Sequence, residues 1–190
     1  MAYIPHPDIH HDLYLSYARE DVAWVSALQE QLAERLLYRL GYECSVWQDV
    51  NKIRTGQVWS AELEKAVRAS AAMIAVLSRH SQSSKWVGRE IDTILDEAQR
   101  PGSLETSGYG RLLKVIKFPW VNNAHEGFYR QYQHVVFFDV DSKTGQEREF
   151  KTTSEQFRKA VDRLSFHVGK LFEAVLRGMD KIFVARAATT

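Results

Sequence analysis

Apolar positions along the chain alternate between two periods. Asp12 to Ala18 (DLYLSYA) is a short β-prone run; from Asp21 the period turns helical, through Val25, Leu28, Leu32, Leu36 and Leu40, until Gly41 stops it. Glu43 to Trp47 (ECSVW) predicts a second strand, and the polar stretch QDVNKIRTGQ a long loop before a helix from about Trp59 to Ala69. Ala72 to Leu77 (AMIAVL) is almost wholly apolar, as a parallel strand covered on both faces must be. A third helix is expected from Ser83 to about Gln99, then a loop (PGSLETSGYG) and a strand from Leu112 to Phe118 (LLKVIKF). A fifth strand is expected over His134 to Val140 (HVVFFDV), followed by a turn at Lys143 to Gly145. Phe157, Val161, Leu164, Val168, Leu171 and Val175 then recur at helical spacing.

Strands separated by helices imply right-handed crossovers and a parallel sheet. Five of them fit an α/β class, flavodoxin-like and doubly wound, with strand order 2-1-3-4-5. The switch point then lies between strands one and three, and a crevice opens at their carboxyl ends. Its expected walls are Ser16, Tyr17 and Ala18 on one side and Ser78, Arg79 and His80 on the other. The loop from Gln48 to Val58 closes one side and the helix beginning at Ser83 the other. Residues 1–11 carry two prolines and three histidines (His6, His10, His11) without periodicity. They are read as a tail or linker, and the histidines not as metal ligands. Residues 12–178 form the expected domain, and 179–190, with the apolar run Lys181 to Ala187, an extension toward a further domain.

Composition narrows the function classes. At 190 residues, 45% hydrophobic and 26% charged, the chain has enough apolar surface for one core and is not a disordered segment. Its 25 basic and 24 acidic residues leave a net charge of +1, which gives no global field for nucleic acid or an anionic membrane. No apolar stretch approaches the roughly 18 residues of a membrane span, and the first residues lack a signal pattern. Cys44 is the single cysteine, so no internal disulfide forms; a cytoplasmic location and a buried, inert thiol are expected.

On the third helix, Val87, Ile91, Ile94, Leu95 and Ala98 cluster into one apolar stripe, and Ser83, Trp86 and Glu90 fall within roughly 60° of each other along its edge. Taken alone, Glu90 reads as a solvated helix residue and Trp86 as boundary packing. The blocks LYLSYAREDVAWV and VWQDVNKIRTGQVWSAELEKAVRASAAMIAVLSRHSQSSKWVGREI, however, resemble the motifs of a Toll/interleukin-1 receptor (TIR) domain of the bacterial NAD+-cleaving type. The resemblance covers residues 12 to about 98 by motif, and 110 to 175 by strand and helix pattern. It implies that Glu90 is catalytic and that Trp86 is the aromatic one turn before it. It places Ser16 and Tyr17 at the end of the first strand beside the substrate, with Ser83 on the same helix edge. Asp49, Ile53 and Gly56 match the loop that closes over nucleotide and mediates self-association. NAD+ is thereby the substrate and no resident cofactor or metal is implied. The partners are further copies of the chain, as an oligomer or filament through residues 48–58, and a tethered sensor domain or partner protein. Val87 stands where a cysteine is common, and Thr55 precedes Gly56 where adaptor relatives carry proline.

The chemistry suits one carboxylate. Nicotinamide in NAD+ is cationic and departs as a neutral ring without a general acid, while the ribose becomes oxocarbenium-like and is stabilised by a fixed negative charge. Aromatic faces at Trp86, Tyr17 and Trp47 are candidates to stack on the bases, with Trp47 equally read as core; Arg19, Arg54 and Arg79 are candidate phosphate contacts. The alternatives are a catalytically silent TIR module that acts by association, a phosphoacceptor receiver, and other nucleotide-binding relatives such as deoxyribosyl transferases. The receiver is disfavoured because Ser16 and Tyr17 stand where it needs an acidic pair.

Overall fold

The computed structural model describes residues 2–48, 61–100, 110–119 and 134–187, with the backbone alone for residue 83 and residues 180–187. Strand β1 (His11–Ser16) leads through a single 3-10 turn into α1 (Val22–Leu40). Val25, Leu28, Leu32 and Leu36 are the buried face of α1. Gly41 ends the helix in the left-handed region at φ 66°, its N–H donating to the Leu37 carbonyl, a conformation a side chain would oppose. Then follow β2 (Val46–Gln48), α2 (Ala61–Arg68), β3 (Ser70–Leu77), α3 (Lys85–Gln99), β4 (Leu112–Ile116) and β5 (His134–Val136). The sheet order is β2-β1-β3-β4-β5, parallel throughout, as the alternation of periods predicts. β3 is buried along its whole length because helices cover both of its faces.

Period-2 alternation in β1 divides its side chains between two cores. Leu13 and Leu15 join α1 and the long C-terminal helix α4 (Glu155–Ala187) on one face, with Phe157, Leu164 and Phe172 among its buried contacts. Tyr14 joins the smaller core under α2 and α3, with Val67, Met73, Val87 and Ile91. Among the described residues, no helix is long and apolar enough to cross a membrane.

Three expectations need correction. The expected strand over His134 to Val140 divides at Phe137, which is fully buried. Only residues 134–136 pair with β4, while β6 (Phe138–Val140) forms an antiparallel hairpin with β7 (Glu147–Glu149). The expected turn lies inside this hairpin, with Asp141 accepting from the N–H groups of Lys143 and Thr144, and Gly145 at φ 68°. Residues 2–10 are packed and do not trail as a tail. Ile4 and Ile9 enter the main core, and the Tyr3 ring lies 5.2 Å from Tyr42 and 5.8 Å from Phe172. The expected boundary at 178 falls within α4, whose helical backbone continues to Ala187.

Cys44 packs against the main core, and burial, with the Asp12 charge adding to it, pushes its thiol up to about 12. At pH 8 its thiolate fraction should lie about a thousandfold below that of an unperturbed cysteine. Iodoacetamide should therefore leave the folded protein almost unmodified under conditions that alkylate a model thiol, and modify it once urea unfolds it.

Candidate active site

Helix α3 is capped by Ser84, whose Oγ accepts from the Val87 N–H at 3.4 Å. Val87, Ile91 and Ile94 face the sheet as expected, but the buried surface extends the other way: Glu90, Thr93 and Glu97 are also buried, whereas Ala98 is exposed. The cause is α2 packed along that side, where Arg68 reaches the Glu97 carboxylate at 3.2 Å. The edge predicted to be solvent-facing is thus an interior edge. Glu90 sits on it with only 6% of its surface exposed.

Burying a carboxylate is costly unless its oxygens are bonded. Both are. The Tyr14 hydroxyl donates to Glu90 Oε1 at 2.8 Å, and Ser16 Oγ donates to Oε2 at 2.6 Å. Tyr14 and Ser16 are two residues apart on β1, and so project from one face of the sheet at its carboxyl end. The Tyr14 ring stacks on Trp47, its register partner in β2, with centroids 4.7 Å apart and planes 14° from parallel. Four residues before Glu90, on the same helix side, Trp86 is half-buried, with the Arg89 guanidinium 5.7 Å from its ring centre. A carboxylate fixed at the switch point beside indole surface can face a developing cation without moving.

Of the sequence-predicted residues, the structure therefore brings Ser16 onto Glu90 and Trp86 beside it on the helix, and it ties Trp47 to Glu90 through Tyr14. Tyr17, one residue past Ser16, packs against the main core on the opposite face of the sheet. Asp49, Ile53 and Gly56 lie outside the described residues, as do Arg54 and the side chain of Ser83. Nor does Ser78 wall the crevice: it is buried, and its hydroxyl donates to the Asp21 carboxylate, which Lys117 contacts at 2.8 Å. Arg79 is exposed, with its guanidinium 3.8 Å above the Phe118 ring.

Sequence reasoning missed Tyr14, although the signal was present: in a strand of period 2, position 14 shares a face with Ser16 and position 17 does not. It also missed Lys114. Register places Ser16, Ala75 and Lys114 in one row across β1, β3 and β4, and burial pushes the Lys114 amine down to about 8. Glu90's side of the sheet therefore carries a buried amine two strands away.

A cleft of about 600 Å³ lies at the other end of the sheet, bordered by His10, Lys65, Arg68, Ala69, Glu97 and Arg100. Its guanidinium groups are occupied internally, Arg68 by Glu64 and Glu97, and Arg100 by Glu97 at 2.8 Å. Parallel α/β sheets place ligands at strand carboxyl ends, and this cleft lies at amino ends; the Glu90 site is the stronger candidate.

A family model for the TIR domain matches residues 13–152, well over half of the chain. Among characterised relatives, NAD(+) hydrolase PdTIR of Paracoccus denitrificans is 32% identical over 106 residues, covering 55% of this chain and 31% of that protein. The chain thus spans less than a third of that relative's length. Among solved structures, the TIR domain of the Toll-related receptor TRR-2 from Hydra magnipapillata is 16% identical, with a TM-score of 0.45, over 65% of this chain and 83% of that one. A flavodoxin-like domain of a Synechococcus protein is 12% identical, with a TM-score of 0.48, over 87% and 99%. With the strand order in place and the family model running from β1 through the β6–β7 hairpin, this chain belongs to the TIR domain family.

Proposed function

We propose that this domain is an NAD+ glycohydrolase and that Glu90 is its catalytic residue. The observation that carries the reading is the Glu90 carboxylate, buried at the carboxyl end of β1 and fixed by two hydroxyl donors. The similarity to a bacterial NAD(+) hydrolase supports it. In the reaction, the bond between ribose C1′ and the nicotinamide nitrogen breaks, and its electron pair leaves with the ring, which becomes neutral. The ribose turns oxocarbenium-like, and Glu90 opposes its positive charge. An ionised carboxylate accepts at both oxygens, and each oxygen can take more than one donor, so ribose hydroxyls can bond to Glu90 beside Tyr14 and Ser16. Water then adds to C1′ and loses a proton, giving nicotinamide, ADP-ribose and a proton. If a nucleophilic atom of the adenine nucleotide replaces that water, the product is a cyclic ADP-ribose. Trp86 offers indole surface for the departing ring.

The reading includes activation by self-association through residues 48–58, which begin at the end of β2 beside Trp47. A loop of one copy that packs on a different surface of the next is a heterologous contact, closing a ring or propagating a filament. Activity should therefore rise faster than linearly with protein concentration.

The second reading is a catalytically silent association module. Its favouring observation is that both Glu90 oxygens are already engaged within the protein. Substrate charge separates the two. NAD+ should release nicotinamide in the presence of the concentrated or crowded domain, whereas NADH should remain intact, because its dihydronicotinamide is uncharged and a poor leaving group. Chromatography of both incubations decides: intact NAD+ at every protein concentration leaves the silent module, and equal loss of NAD+ and NADH contradicts the leaving-group chemistry.

A further inference from the structure

We propose that Tyr14 is the positioning residue for Glu90, and that Trp47 acts through it; the proposal rests on the glycohydrolase reading above. A glutamate carboxylate turns easily about its last torsion, whose rotamer wells are broad. One donor leaves the plane of the group free to swing. Two donors on different oxygens define that plane, and Tyr14 and Ser16 supply one each. They differ in what they can enforce. The Ser16 hydroxyl rotates about its own bond and follows the carboxylate wherever it settles. The Tyr14 oxygen lies at the end of a rigid ring, so its place is set by the ring's place.

That ring is only 1% exposed and lies among Val67, Met73 and Leu77, with Trp47 stacked on its face at 4.7 Å. Trp47 is thus assigned a function in the site that needs no contact with a base: it holds the ring that holds the carboxylate. A phenylalanine at position 14 would fill the same apolar space and keep the stack. The hydroxyl adds the bond to Oε1, linking residues 76 positions apart in the chain.

The test uses Tyr14→Phe, which keeps the ring and removes one oxygen. If Tyr14 positions Glu90, kcat for nicotinamide release falls about tenfold, as for loss of a charge-assisted hydrogen bond, while KM stays within about twofold, because the substrate's own contacts remain. Ser16→Ala should have a smaller effect on kcat. A lowered melting temperature with kcat unchanged would assign Tyr14 a packing role alone and overturn the proposal. A thermal double-mutant cycle reads the contact without using activity. Tyr14→Phe should lower Tm in the wild-type chain but not in Glu90→Ala, where the hydroxyl has lost its acceptor. Additive shifts overturn the proposal. Absence of nicotinamide release from the wild-type protein would instead reject the glycohydrolase reading, with the cycle still deciding whether Tyr14 and Glu90 act as a unit.

Discussion

Glu90→Gln is expected to lower nicotinamide release from NAD+ by about 10³-fold, roughly 4 kcal/mol of transition-state stabilisation, and to leave the domain folded. The two halves of this expectation have separate causes. The amide has the shape of the carboxylate, and its oxygen can still accept from one hydroxyl of β1 while its nitrogen donates to the other, so burial is not left uncompensated. What it lacks is the negative charge. At a carboxylate this buried, charge opposed to an oxocarbenium-like ribose contributes far more than it does in water. The substrate in its ground state carries less positive charge on the ribose than the transition state does, so kcat should fall with little change in KM. Far-UV circular dichroism and Tm of the variant, set beside its turnover, check both halves together.

Asp12→Ala should be the most damaging single change to stability away from the apolar core, at about 3 kcal/mol, or a fall in Tm of roughly 6–12 °C. Asp12 is fully buried, and one carboxylate organises three segments. Oδ1 accepts from the N–H groups of Tyr3 at 2.6 Å and Ile4 at 3.2 Å, and Oδ2 from Ser45 N–H at 2.8 Å and Ser45 Oγ at 3.0 Å. Alanine leaves these donors without their acceptor and frees the N-terminal segment that places Ile4 in the core. Asp12→Asn should rescue little, since its amide presents donors where the Ser45 N–H needs an acceptor. Urea denaturation of the three proteins measures the loss. A shift in midpoint under about a tenth of this size would mean that the N-terminal segment is held by its apolar contacts alone.

The parts legible in the sequence are those written in apolar periodicity. Val25, Leu28, Leu32 and Leu36 recur at helical spacing and form the buried face of α1; the unbroken apolar run of β3 announces a strand covered on both sides; Gly41 marks the helix end. Where burial is achieved by polar pairing, the sequence is silent. Glu97 enters the interior because Arg68 and Arg100 come with it, and that turns the buried face of α3 toward α2. The N-terminal segment buries two isoleucines among histidines and prolines, without a period to betray them, and its anchor is the carboxylate of Asp12. β7 is exposed at all three of its residues, so no apolar alternation could have revealed the hairpin. In the candidate site, Glu90, Ser16 and Trp86 are singled out by motif and helix geometry. Tyr14 was within reach of strand parity, and Ser78 turning away to Asp21 was not, because that bond joins residues 57 positions apart.

In a glycohydrolase of this kind, the side chain at position 90 meets the sugar whose bond is cut. A crystal structure of the Glu90→Gln variant soaked with NAD+, which that variant should leave intact, tests it directly. The predicted result is the nicotinamide-side ribose at the carboxyl end of β1, with a hydroxyl bonded to the position-90 amide and nicotinamide against Trp86. NAD+ seated elsewhere, with no ribose hydroxyl within bonding distance of position 90, would contradict it.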